Sequence, residues 1–247
     1  MACSSEVQAT INRDFPPQSH PYRVFEQTLL EHVEPHGCVL DIGCGRRAPN
    51  LVKLKGRART LMGIDIVDFE ISEPDLILLN GSVCDMSRIA TGSVDLAYSR
   101  SVMEHLEDVR STYSEVCRIL KPSGKYLFLT PNFLDYVSLV AYAVPNPLHG
   151  KLVRFTEGRA ESETFPTYYK SNTYYGIKRL AQRSDLEIIN FQYLGQYPSS
   201  FLFNETLFSV AGRYEKFLER HSSLHFLRGW ILCVLRRTGD QATGSSQ

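Results

Sequence analysis

The chain has 247 residues, and 27 Lys plus Arg balance 27 Asp plus Glu to a formal net charge of zero. That length supports one substantial mixed core, and the charge balance weighs against a strongly electrostatic nucleic-acid binder. No basic region leads into a long apolar run, so neither a signal peptide nor an integral membrane segment is expected. Residues 1–14 read as loosely ordered, with Phe15-Pro16-Pro17 as a turn. Tyr22 to Val33 reads as a helix that covers the ligand site as a lid. Cys38 to Ile42 is a short buried strand, and the helix after it is interrupted early by Pro49. Arg59 to Ile64 and Leu76 to Leu79 are the next two strands, and Val94 to Tyr98, after Gly92-Ser93, is the fourth. Leu106 to Leu120 reads as a helix ended by Lys121-Pro122-Ser123-Gly124. Tyr126 to Thr130 is the fifth strand.

The rhythm then breaks. Residues 131–170 carry Pro131, Pro145, Pro147, many aromatic residues and a polar run from Glu157 to Glu163. This is too long for an ordinary connection, and an insertion there is suited to wall off a substrate. Ser171 to Ser184 reads as a helix with Ser171 or Asn172 near its cap. Leu186 to Leu194 resumes strand character. Asn204 to Arg220 reads as a helix with an apolar stripe of Leu207, Val210, Ala211, Tyr214, Phe217 and Leu218. Trp230 to Leu235 is the last strand, paired with the sixth as an antiparallel hairpin. The six cysteines, Cys3, Cys38, Cys44, Cys84, Cys117 and Cys233, form no CxxC pair and no zinc spacing, so they read as reduced residues of a cytoplasmic protein. The basic cluster Arg46, Arg47, Lys53, Lys55, Arg57 and Arg59 reads as a solvated face.

Alternating strands and helices predict an α/β fold, doubly wound and Rossmann-like, with a mostly parallel seven-stranded sheet and an antiparallel final strand. The N-terminal segment and lid helix take 1–36, the main domain 37–237 with its insertion at 131–170, and a Gly/Ser/Gln-rich tail expected to be disordered 238–247. Its most informative stretch is Val39-Leu40-Asp41-Ile42-Gly43-Cys44-Gly45, followed by Gly63-Ile64-Asp65-Ile66. A strand delivers Asp41 to the carboxyl edge of the sheet, Gly43 and Gly45 allow a tight turn, and Asp65 ends the next strand, where a carboxylate can accept both ribose hydroxyls. A dinucleotide fingerprint would want G-x-G-x-x-G and a helix N-terminus open to pyrophosphate. Here Arg46-Arg47-Ala48-Pro49 replaces the third glycine. A nucleoside carrying a compact cationic sulfonium suits the turn better than NAD.

At these residues the chain resembles the class I S-adenosylmethionine-dependent methyltransferases, in particular the small-molecule group called methyltransferase type 11. The resemblance runs from about Tyr22 to Leu120 and continues more weakly to Arg236. Asn80-Gly81-Ser82-Val83-Cys84-Asp85-Met86 resembles the loop that holds adenine, with Ser82 where many relatives have aspartate. Ser93 to Leu106 resembles the fourth-strand motif and its adjoining helix, and Arg118 to Gly124 the turn before strand five. The resemblance implies S-adenosylmethionine as cofactor, held by Asp41, Gly43, Cys44, Gly45, Asp65, Ile66, Ser82, Val83 and Ser99, with Arg47 departing from the family's next glycine.

Methyl transfer from a sulfonium needs alignment, exclusion of water and often removal of an acceptor proton, but no covalent nucleophile. His105 is the sharpest candidate base, with bracing of the helix as its structural alternative. His149 is a second candidate base within the insertion. Glu104, Tyr168 and Tyr169 are candidate acceptor contacts, with buried structural hydrogen bonds as the alternative for the tyrosines. No acidic cluster suggests a metal. Phe201-Leu202-Phe203 and the helix through Phe217 suggest an acceptor tunnel or a dimer face. The expected partner is a moderately hydrophobic small molecule, methylated on oxygen or nitrogen, with carbon left open, by a monomer or homodimer. A non-catalytic binding protein on the same fold, and an NAD-dependent oxidoreductase, are the rival readings.

Overall fold

The computed structural model describes residues 4–143 and 165–239. Seven strands form one sheet: β1 Cys38–Ile42, β2 Thr60–Asp65, β3 Leu76–Asn80, β4 Val94–Arg100, β5 Leu120–Pro131, β6 Leu186–Leu194 and β7 Trp230–Arg237. Their order is β3-β2-β1-β4-β5-β7-β6. β1 is parallel to both β2 and β4, and β7 is antiparallel to both β5 and β6. Strand order therefore reverses between β1 and β4, which opens a crevice at their carboxyl ends.

Side-chain alternation divides the core between the two faces of the sheet. Leu40, Ile42, Tyr126, Phe128, Ile231 and Cys233 point to one face. There they meet Tyr113 and Val116 of α4 (Val109–Ile119) and Ile177 and Leu180 of α6 (Tyr174–Gln182). Val39, Tyr98, Leu127, Leu129, Leu232 and Val234 point to the other, against Phe25 and Leu29 of α2 (Pro21–His32) and Leu51 of α3 (Pro49–Lys53). Burial of each large side chain contributes about 1.5–3 kcal/mol, so both layers are needed to hold the crevice open at one edge.

Several sequence expectations change. Residues 5–14 are not loose. Ser4 accepts a hydrogen bond from Val7 N and caps α1 (Ser5–Asp14), Val7 is buried, and Phe15 lies against Gly212. Pro49 does not interrupt α3 but begins it, where its missing N–H costs nothing. The helix expected from Leu106 starts at Val109, because Asp108 caps it through Ser111 N, and Leu120 already belongs to β5. The cap of α6 is Thr173, which accepts from Gly176 N; Ser171 and Asn172 are buried in polar contacts instead. Residues 132–143 contain a further helix, α5 (Tyr136–Ala143).

The last helix, α7 (Glu205–Arg220), buries Phe208, Gly212, Glu215 and Leu218. Leu207, Val210 and Phe217 of the expected stripe face outward instead. The five described cysteines are free thiols. Among the described residues no helix is long and apolar enough to cross a membrane.

Candidate active site

The turn after β1 is built by two glycines with positive φ, Gly43 at 76° and Gly45 at 73°. A Cβ on Gly43 would lie 2.4 Å from Val102 Cγ2, whereas one on Gly45 would meet nothing within 4 Å. Gly43 is thus required by packing and Gly45 by the turn, leaving open space above it. Gly43 N donates to Ile64 O at 2.8 Å, and Gly45 N donates to Asp65 Oδ2 at 2.7 Å. Val67 N donates to Asp65 Oδ1 at 3.2 Å. Two backbone amides therefore aim the Asp65 carboxylate, and each oxygen keeps a lone pair for a diol. Ile66 beside it is 59% exposed, an apolar platform at the crevice.

At the ends of β1 and β4, which pair Asp41 with Tyr98, three polar atoms are buried with no hydrogen bond of good geometry, Asp41 Oδ2, Tyr98 Oη and Ser101 Oγ, although the Tyr98 hydroxyl lies close enough to Asp41 to favour its charge. Burial pushes Asp41 up to about 7, opposed by Tyr98 and Arg100 and reinforced by Asp65. Orphaned buried groups cost about 1–3 kcal/mol each. A ligand that brings a positive charge and hydrogen-bond donors to this point would relieve that cost, which is the chemistry of an α-amino group. The residues therefore fit a nucleoside with a cationic amino-acid end.

Other expected contacts are divided by the pleat. The Ser99 hydroxyl lies on the opposite face from Asp41 and Tyr98, buried 2.7 Å from Tyr126 Oη, which itself donates to Met103 Sδ. Its side chain does not line the crevice. Cys44 Sγ packs toward Gly63, and burial together with the Asp41 and Asp65 carboxylates pushes its thiol up, so only its backbone serves the turn. Val83 is buried in the core, and Ser82 Oγ accepts from Cys84 N at 3.1 Å, keeping its O–H as a donor. That loop is held to α4, because Met86 N donates to Glu115 while Arg118 donates to Met86 O.

The acceptor side is organised by a turn at Met103–His105. Glu104 is buried, and its Oε2 accepts from Thr130 Oγ1 at 2.9 Å, which in turn accepts from Asn172 Nδ2 at 2.7 Å. The Glu104 carbonyl accepts from Tyr168 N at 2.7 Å and Tyr169 N at 3.3 Å. His105 Nδ1 lies 2.9 Å from Pro166 O. A carbonyl only accepts, so Nδ1 is the donor in this contact and Nε2 is the nitrogen left for another partner. Nε2 is 3.9 Å from Glu104 Oε1. The structure thus brings together Glu104, His105 and the backbone of Tyr168 and Tyr169. Tyr169 is largely buried and pushed up by that burial, while the Tyr168 ring lies outside, under Lys170 Nζ at 5.3 Å. His149 lies outside the described residues.

Sequence reasoning missed a buried acidic pair at the same sheet edge. Asp135 is 5% exposed; its Oδ2 caps α5 through Val137 N, and its Oδ1 has no partner. Glu215 of α7 is pushed up to about 8 by burial and by Asp135, against the pull of Arg228. The available signal was an acid within the series Phe208, Gly212, Glu215, Leu218, spaced for one helix face. Tyr22 and Arg100 were also missed as a pair. The Arg100 guanidinium sits 4.6 Å over the Tyr22 ring, which meets Trp230 edge-on at 5.4 Å. The helix expected as a lid packs Phe25 and Leu29 on the sheet, and its first-turn Tyr22 meets Arg100 at the end of β4.

Comparison with known proteins agrees with this geometry. A family model described as a methyltransferase domain matches residues 40–128. Geranyl diphosphate C-methyltransferase from Streptomyces coelicolor A3(2) superposes with a TM-score of 0.57 at 16% identity, over 94% of this chain and 83% of that one. This chain has the class I S-adenosylmethionine-dependent methyltransferase fold. The 24-methylenesterol C-methyltransferase 2 of Oryza sativa subsp. japonica is 24% identical over 147 residues, 55% of this chain and 39% of the relative. A malonyl-acyl-carrier-protein O-methyltransferase of Hahella chejuensis is 25% identical over 111 residues, 41% and 40% of the respective chains. The matches span only 32–40% of the length of the curated relatives. Within this methyltransferase fold, the five-residue α3 begins behind left-handed Ala48 at Pro49, which has no N–H to offer a pyrophosphate.

Proposed function

We propose that this chain transfers a methyl group from S-adenosylmethionine to oxygen or nitrogen of a moderately hydrophobic small molecule, releasing S-adenosylhomocysteine. The observation that carries the reading is the buried, under-satisfied polar group of Asp41, Tyr98 and Ser101 at the strand ends beside the glycine turn and the tethered Asp65. When bound, the donor supplies an electrophilic methyl on a sulfonium. Asp65 accepts the ribose hydroxyls, and Asp41, ionised by a neighbouring cation, holds the amino-acid end. His105 Nε2 receives the acceptor's proton, with Nδ1 held by Pro166 O. Tyr22, Trp230 and Tyr169 exclude water from the crevice edge. The oxygen methyltransferase among the relatives supports an oxygen acceptor, and the sterol C-methyltransferase supports a hydrophobic one while favouring carbon as the methylated atom. Free thiols on five described cysteines support a reducing compartment, the cytoplasm.

Calorimetry of the ligand-free chain should show saturable binding of S-adenosylmethionine and none of NAD. Release of S-adenosylhomocysteine across a panel of hydroxylated and aminated lipophilic acceptors then separates an enzyme from a donor-binding partner protein. NAD binding in place of the donor would overturn the reading. With the acceptor so found, His105→Ala should slow single-turnover methyl transfer by about 100-fold or more while leaving donor affinity within twofold. An unchanged rate would remove His105 from the chemistry.

A further inference from the structure

Helix α7 carries an outward face that the site does not use. Leu207 is 44% exposed, Val210 60% and Phe217 48%. On α5, Leu139 is 43% exposed and Val140 56%. These residues are not scattered. Tyr136 of α5 meets Tyr214 of α7 edge-on at 5.6 Å. Leu139 and Val140 lie one turn from Tyr136; Val210 and Phe217 lie one turn from Tyr214, and Leu207 two. Residues three, four or seven apart share a helix face, so all five border the same seam. Isolated exposed apolar residues are ordinary, but a contiguous strip is not.

Charge borders this strip on its other side. A groove of about 650 Å³ between α1 and α7 is lined by Arg13, Arg213, Lys216, Phe217, Arg220 and His221. Its carboxylates are already engaged, Asp14 with Arg13 and Glu219 with Lys216. Among the described residues no ion pair engages Arg213 or Arg220. Phe217 belongs to both the strip and the groove. Between Thr206 and Phe217 the exposed positions of α7 carry no acid, and α5 carries no charge at all.

We propose that α7 and the adjoining face of α5 dock the protein onto a bilayer surface bearing anionic phospholipid. The apolar strip enters the boundary between headgroups and acyl chains, and the groove receives the phosphate. Apolar residues flanked by cations match a surface that is anionic outside and apolar just beneath. A protein with an acidic rim around an apolar centre is the competing occupant, and indifference to anionic vesicles would point to it.

Flotation with vesicles tests this. The full chain should float with phosphatidylcholine vesicles containing phosphatidylserine and stay behind with phosphatidylcholine alone. Each surface cation contributes about fivefold in partitioning. Arg213→Gln with Arg220→Gln should therefore reduce binding by about 25-fold, and added salt should do likewise. Val210→Ser with Phe217→Ser should abolish binding. Donor affinity within twofold of the parent shows that both variants are folded. No binding to the anionic vesicles, or binding indifferent to both variants, overturns the proposal. So does self-association in sedimentation that Val210→Ser with Phe217→Ser abolishes while vesicles are ignored, since the strip is then an interface between copies. Vesicle binding by a chain that takes no donor would refute the methyl-transfer reading and leave this one standing.

Discussion

Replacing Asp65 by alanine is expected to weaken S-adenosylmethionine binding by about 150-fold or more. A charged acceptor contributes about 1.5–3 kcal/mol to each hydrogen bond, and a ribose diol makes two. The substitution also releases Gly45 N and Val67 N, which the carboxylate now holds at 2.7 and 3.2 Å. The glycine turn would then lose the tether that fixes its height above β2. Asp65→Asn separates these effects, since its amide oxygen can still accept one backbone bond but carries no charge. Calorimetry should place the asparagine variant between the parent and the alanine variant. An alanine variant that binds within threefold of the parent would remove Asp65 from the donor site.

The second large effect concerns stability. Glu215 is pushed up to about 8 in the folded chain from an ordinary value of 4.5. The unfolded chain therefore releases this proton at a pH where the folded chain still holds it. Stability is full below about pH 4.5 and is lost as pH rises toward 8. Asp135, pushed up to about 6, and Asp41, pushed up to about 7, act in the same direction. Glu215→Gln keeps the shape and removes the charge. At pH 9 it should be more stable than the parent by roughly 3–5 kcal/mol, a rise in Tm of about 6–20 °C for a chain of this size. At pH 4 the two should melt together. Thermal melts across pH decide it: curves that run parallel from pH 4 to 9 would show that Glu215 ionises freely in the folded state.

These two residues differ in how they could be found. Asp65 was legible because the strand that carries it, the glycine turn before it and the spacing between them are all local patterns. Glu215 was not, because its neighbours Asp135, Arg228 and Gly195 come from three other segments. The same distinction explains the apolar stripe of α7. Helical spacing was read correctly, but Phe208, not Leu207 or Val210, faces inward. Which side of an all-round mixed helix turns inward is set by what lies beneath it, here Phe15 against Gly212. Ser99 shows the converse. Its place at the end of β4 was legible, yet the pleat sends its hydroxyl to Tyr126 rather than to the crevice.

Taken by itself, the sequence determined the strands, their alternation with helices, the glycine turn and the acid that ends β2. Each of these arises from periodicity, turn chemistry or short spacing, and such terms act within a few residues. The tertiary structure alone decided the environment of each charge. Burial moves Asp41 and Glu215, while a carbonyl from Pro166 chooses the ring nitrogen of His105 that donates. Desolvation and hydrogen-bond pairing depend on every atom within a few ångströms, and in this fold those atoms come from segments far apart in the chain.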